Sequence, residues 1–268
     1  MKKILAVVLL ASAIFAADAF AAKITLEGST TLLPIAQRAA EEYMDANSSA
    51  NITVRGGGSG VGVNSLIAGT CDIANASRAI KDSEIQTAAS KGVKPKAFVV
   101  AMDGIAVIVN NSNAVSELSK KQVSDIYTGK ITSWSQVGGK NERIVVVSRD
   151  SASGTFEAFG ELALNKQKVL SGALMQASNQ AIVATVSKTP GAIGYVGVGY
   201  TSPQIKAVSI EGVDANKETV LTGKYAYSRP LFMYTNGQPK GEIKNFIDFL
   251  LSADGQKIVE EEGFVPLQ

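Results

Sequence analysis

Arg143-Ile144-Val145-Val146-Val147-Ser148-Arg149-Asp150-Ser151-Ala152-Ser153-Gly154-Thr155 carries a strand, a turn and the start of a helix. Its first five residues form a short apolar run rich in β-branched side chains, the pattern of a strand. From Gly154 onward Phe156, Phe159, Leu162 and Leu164 recur at roughly helical spacing. Between the two lie a fixed cation, Arg149, and the hydroxyls of Ser153 and Thr155. Backbone N–H groups in a first helical turn have no partner within the helix, and the aligned peptide dipoles make that end positive. Guanidinium, hydroxyls and N–H groups at such a junction can converge on a tetrahedral oxyanion. The same residues also fit a plain connection in which Ser153 does no more than cap the helix.

Two other segments repeat the form. Ile24-Thr25-Leu26-Glu27 reads as a strand, followed by Gly28-Ser29-Thr30-Thr31 and then Leu32-Leu33-Pro34, where Pro34 suits a first helical turn. Asn51-Ile52-Thr53-Val54-Arg55 is another strand, followed by Gly56-Gly57-Gly58-Ser59-Gly60 and a helical stretch to about Gly69. One glycine-rich turn is weak evidence, because glycine also serves tight turns. Three strand-to-helix turns with Ser or Thr at the helix start point to an anion site built from several helix N-termini. Strands and helices alternate along the whole chain, which predicts an α/β protein with mainly parallel sheets. Its length allows one large domain or two smaller ones, and no linker or internal repeat decides between them.

Met1-Lys2-Lys3, the mostly apolar run Ile4 to Phe15 and the small-x-small step Ala19-Phe20-Ala21 have the form of a cleavable signal peptide over residues 1–21. The apolar run is too short for a convincing membrane anchor. No cysteine near the cleavage site could take a lipid, so a free periplasmic product is expected rather than a lipoprotein. Removing Lys2, Lys3 and Asp18 with that segment leaves 24 basic and 23 acidic residues. Such a balance argues against a broad nucleic-acid surface. Cys71 is the only cysteine, which excludes an intramolecular disulfide, and it reads as a buried thiol in the strand with Asp72 and Ile73. The chain has no histidine, which excludes Ser–His or Cys–His nucleophiles and His-ligated zinc. Carboxylate or lysine catalysis is left open by composition, but no strong motif supports it. Neither a cofactor nor a metal is expected. Trp134 reads as packing; Tyr195 and Tyr200 frame a strand or line the cleft with a hydroxyl, and Asn179-Gln180, at a helix start, either contact the ion or cap that helix.

The motifs together resemble the phosphate-binding receptors of bacterial high-affinity phosphate ABC importers, which are two-lobed periplasmic solute-binding proteins. The resemblance covers nearly the whole mature chain. It rests on Gly28 to Pro34, Gly57 to Gly62, Asp72 to Arg78, Asp103 to Ala106, Ile126 to Ile131, Arg149 to Thr155, Gly191 to Tyr195 and Phe246 to Leu267. It implies a type II-like α/β fold, with two mainly parallel sheets flanked by helices and a ligand cleft between the lobes. It implies a discontinuous first lobe, residues 22–101 and 230–268, and a second lobe, 102–229. The first crossing would fall within Phe98 to Val109 and the return near Tyr225 to Tyr234. It further implies a monomeric, non-catalytic receptor that binds inorganic phosphate and hands it to the importer's membrane subunits. Matched position by position, the ligand set is Ser29, Thr30, Thr31, Ser59, Arg149, Ser153, Gly154 and Thr155, with Gly58 and Ser77 at its margin.

One position departs from that pattern. Some members carry an aspartate just after the step corresponding to Ala76-Ser77; this chain has Arg78 there. A carboxylate at that point can accept a phosphate proton and repels a fully deprotonated anion. Asp103, at the first crossing, is the expected replacement acceptor, against the plainer reading of a turn residue before Gly104. Arg78 is either a second anion ligand or an ion-pair partner. Receptors for sulfate or molybdate are the near alternative, and a secreted phosphoester hydrolase or an adhesion module the distant ones.

Overall fold

The computed structural model describes residues 23–267; the expected signal peptide lies outside them. The chain opens with three parallel strands, β1 (Lys23–Gly28), β2 (Asn51–Arg55) and β3 (Ile73–Ala76), each followed by a helix: α1 (Leu33–Ala46), α2 (Ser59–Ala68) and α3 (Asp82–Ser90). Pro34 opens α1, where no intrahelical N–H is lost, and Ile35, Ala36, Ala39, Ala40 and Tyr43 form its buried stripe. Gly69 ends α2 in the left-handed conformation at φ 72°. Cys71 lies buried just ahead of β3 rather than inside it.

β4 (Pro95–Asn110) then runs for 16 residues. After it come β5 (Glu117–Leu118), α4 (Lys120–Tyr127), β6 (Val145–Arg149), α5 (Gly154–Leu162), β7 (Leu174–Gln176) and α6 (Asn179–Lys188). β8 (Ala192–Gly197), β9 (Ile205–Ala207), β10 (Ser209–Ile210) and α7 (Lys217–Leu221) complete this half. The chain returns through β11 (Ser228–Asn236) and ends in α8 (Gly241–Leu251) and α9 (Ala253–Glu261). Ser119 caps α4 by accepting from the Gln122 N–H at 3.1 Å, as its position in the sequence predicts.

The expected two-lobed α/β architecture is present, but the two sheets are joined into one. Nine strands follow the order β2-β1-β3-β11-β4-β8-β6-β7, with β9 beside β4. The wings are parallel, whereas β11 and β4 pair antiparallel with each other and with their other neighbours. Pro95–Gly104 of β4 pair with β11, and Ile105–Val109 pair with β8, so one strand serves both lobes. The Asp103-Gly104 step does not interrupt it. A Cβ on Gly104 would stand 2.8 Å from Val220 Cγ2, so the glycine lets the strand pass closely under α7.

The largest apolar cluster spans both lobes, from Leu26, Ile35 and Met233 to Val107, Phe159 and Tyr195. Within it Phe159 stacks on Tyr195 with centroids 4.0 Å apart, and Tyr127 meets Phe159 edge-on at 4.8 Å. Trp134 is a packing residue, 1% exposed, with its Nε1 donating to Gly191 O at 3.0 Å. Among the described residues no helix is long and apolar enough to cross a membrane.

Candidate functional site

The three strand-to-helix turns meet at the carboxyl ends of their strands, between the lobes. Ser29, Thr30, Thr31, Ser59, Ser77, Arg149, Ser153 and Thr155 are all buried there. Arg149 is the last residue of β6, so the strand aims it into the cleft. Its Nε donates to Gln176 O at 3.1 Å, and its Nη2 donates to Ala177 O at 3.0 Å and Thr30 Oγ1 at 3.1 Å. Its Nη1 is buried without a hydrogen-bond partner, and Arg149 makes no salt bridge among the described residues. Burial lowers its pKa, opposed by Asp150, yet a guanidinium remains charged at any ordinary pH. A buried, unpaired cation is costly to hold, and an anion at Nη1 would offset that cost.

Hydroxyls from both lobes close the shell. Thr31 Oγ1 lies 2.9 Å from Thr155 Oγ1. Asn179, at the start of α6, donates from Nδ2 to Thr30 Oγ1 at 3.1 Å and to Thr31 Oγ1 at 3.2 Å, while its Oδ1 accepts from Gly197 N. Tyr200 donates to Thr30 O at 2.5 Å. Ser153 Oγ caps α5 by accepting from Phe156 N at 3.2 Å, leaving its own proton to donate. Ser29 Oγ accepts from Thr31 N, and Ser59 Oγ accepts from Ser77 N at 2.9 Å.

The glycines set how closely the lobes approach. A Cβ on Gly154 would fall 2.2 Å from Ser59 Oγ, and one on Gly58 would fall 2.5 Å from Ala152 O. Gly58 also holds φ 99°, which side chains rarely adopt. Beside them Gly60 N donates across the cleft to Ala152 O at 3.0 Å. The helix N-termini of α2 and α5 therefore face one another across the polar shell.

Asp103 and Arg78 sit differently from the rest of the expected set. Asp103 is fully buried at the crossing, and Arg229 on the return strand stands opposite it in register. Asp103 Oδ2 accepts from Arg229 Nε at 2.9 Å and Nη2 at 2.7 Å, and Oδ1 accepts from Val198 N at 2.9 Å. Burial drives its carboxyl above the ordinary range, with Arg229 and the N–H donors of Val198 and Gly104 pulling against it. Both oxygens are thus committed to protein donors. Arg229 carries the connection forward, donating from Nη2 to Thr155 Oγ1 at 3.0 Å and from Nη1 to Ser77 O at 2.9 Å. Arg78 lies at the cleft mouth in ion pairs with Glu84 and Glu157, on the ion-pair side of the two readings.

Arg229, Asn179 and Tyr200 are members of the polar network that the sequence reading left outside the ligand set. Arg229 had a visible cue, a lone cation in an otherwise extended apolar stretch, but only the strand register reveals Asp103 as its partner. Asn179 was visible as a helix start, though not as the bridge between two threonines of the other lobe. Among the described residues no cluster of three His, Cys, Asp or Glu could hold a metal.

Two lobes meeting over a shell of hydroxyls, helix N-termini and a buried guanidinium that has no carboxylate partner among the described residues define a solute-binding protein rather than a broad surface binder. The PBP superfamily domain model matches residues 16–254. Phosphate-binding protein PstS of Bacillus subtilis (strain 168) is 36% identical over 249 residues, 91% of this chain and 80% of that protein. PstS of Staphylococcus aureus (strain USA300) is 37% identical over 253 residues, covering 89% and 76%. The chain belongs to the PBP superfamily and, within it, to the family of these phosphate-binding proteins. Among solved structures, a candidate phosphate ABC transporter substrate-binding protein from Clostridium perfringens, with bound phosphate, aligns at TM-score 0.86 and 33% identity over 92% of this chain and all of that one. An ABC-type phosphate transport receptor from Vibrio cholerae aligns at TM-score 0.75 and 33% identity, over 90% and 99% of the two chains.

Proposed function

We propose that the chain is an extracytoplasmic receptor that binds inorganic phosphate between its lobes and delivers it to the membrane subunits of an ABC importer. The observation that carries this reading is Arg149, whose buried guanidinium has, among the described residues, no partner at Nη1 and no carboxylate in ion-pair range. Around it we assign Ser29, Thr30, Thr31, Ser59, Ser153, Gly154 and Thr155 to the ligand shell. Asp103 acts through Arg229, whose Nη2 fixes Thr155 Oγ1. The lobes divide as residues 22–101 with 230–268, and 102–229. The mature protein is a soluble monomer released by signal-peptide cleavage.

On this reading the receptor binds its anion without chemistry. Complete coordination exists only when the lobes are closed, so an anion that fills the shell shifts the population toward the closed state. The named relatives support phosphate as that anion. Isothermal titration of the ligand-stripped mature protein with phosphate and with sulfate tests the reading. One phosphate per chain with little response to sulfate is expected. Sulfate or molybdate binding alone would overturn the substrate, and turnover of a chromogenic phosphoester lost in Ser153→Ala would overturn the receptor itself.

A further inference from the structure

Glu157 lies in the first turn of α5, the helix whose N-terminus contributes Ser153, Gly154 and Thr155 to the shell. Its Oε2 lies 2.9 Å from Arg78 Nε and 2.8 Å from Lys81 Nζ. Both cations belong to the other lobe: Arg78 follows β3 and Lys81 immediately precedes α3. Glu84 holds Arg78 from behind in a fork, with Nη1 on Oε2 at 2.8 Å and Nη2 on Oε1 at 2.7 Å. The same carboxylate accepts the Lys81 backbone N–H at 2.9 Å, so one anion fixes the Arg78 guanidinium and the Lys81 main chain on their own lobe. The Arg78 Nε–H is not aligned on Glu157 as a hydrogen bond, which makes that contact coulombic.

The side chains of Arg78, Glu84 and Glu157 are 7%, 14% and 19% exposed, against 48% for Lys81. The pair is therefore screened less than a surface pair. Glu157 has no cation of its own lobe within ion-pair distance among the described residues. Opening the lobes would separate it from both partners at once, whereas Glu84 would keep Arg78. The energy of the contact is thus conditional on closure.

We infer that Glu157, clamped by Arg78 and Lys81, is an interlobe latch that positions the N-terminus of α5 over the bound anion and slows its release. The inference rests on the phosphate-receptor reading, and Arg78, Lys81 and Glu157 are positioning residues that need not touch the ligand. Removing the Glu157 charge leaves the mouth one positive charge richer, which cannot slow the approach of an anion. The loss should therefore fall on dissociation.

Stopped-flow and titration measurements with inorganic phosphate on the wild type, Glu157→Gln and Glu161→Gln test the latch. Glu161 lies on the same helix, so its variant controls for the loss of one negative charge there. Glu157→Gln should raise Kd by about fivefold, through a faster off-rate at an unchanged or faster on-rate. Glu161→Gln should stay within about twofold of the wild type. Added salt should speed phosphate release less steeply in Glu157→Gln than in the wild type, because the screened latch pair is already gone. If Glu157→Gln melts early, Lys81→Gln carries the test, with a smaller increase in the off-rate. An off-rate and salt slope like the wild type's in either folded variant overturns the latch while leaving phosphate binding intact. Absence of phosphate binding by the folded wild type overturns the receptor reading instead.

Discussion

Arg149 is held in place by two carbonyl oxygens and a threonine hydroxyl, and none of these neutralises its charge. That arrangement was legible in the sequence up to a point, since three strand-to-helix turns with Ser or Thr at the helix start, one of them carrying a cation, together point to an anion site. What composition could not convey was distance, and Gly154 shows why. As a letter it marks a helix start; in three dimensions it is the clearance that lets α5 touch Ser59. Gly154→Ala would place a methyl 2.2 Å from Ser59 Oγ. With an overpacking cost of about 1–3 kcal/mol falling on the closed state, phosphate affinity should drop about fivefold to 150-fold. Titration beside a thermal melt checks this, and unchanged affinity would remove the close approach from the account.

Strand boundaries and helix starts in the wings followed the sequence closely, because β-branched runs, Pro34, Ser119 and Gly69 each act locally. The crossing strands did not, because their pairing is long-range. Asp103-Gly104 resembled an interruption, and the partner that explains Asp103 lies 126 residues away. This pair of elements carries its own prediction. Asp103→Asn strips Arg229 of its counter-charge in a fully buried setting, which should destabilise the fold by about 3–5 kcal/mol. Replacing both residues, Asp103→Leu with Arg229→Met, should recover much of that loss. Urea denaturation of the three proteins tests it, and a single-variant loss below about 1 kcal/mol would mean that the pair holds the crossing only weakly.

At the scale of the molecule, one apolar cluster and one sheet run through both lobes, so charge at the cleft mouth bears on the stability of the whole. Burial pushes the Glu84 carboxyl up, but the Arg78 guanidinium and the Lys81 N–H more than offset it, leaving the group below its ordinary value of 4.5. A depressed carboxylate contributes stability that is present above its unfolded pKa and disappears as pH falls through the folded one. The urea midpoint should therefore decline on acidification below about pH 5, and Glu84→Gln should flatten that part of the curve. Parallel curves for the two proteins would show that Glu84 does not supply the linkage.

The position of β11 between β3 and β4 also dictates an order of events during synthesis. When the ribosome has delivered everything up to Tyr227, β3 and β4 both exist, but the strand that must lie between them has not been made. The second lobe has all of its strands by then, whereas the first waits with an open seam for β11. A nascent chain of this protein is thus half-finished until β11 has been made, and truncation ahead of β11 should damage the part that was made first.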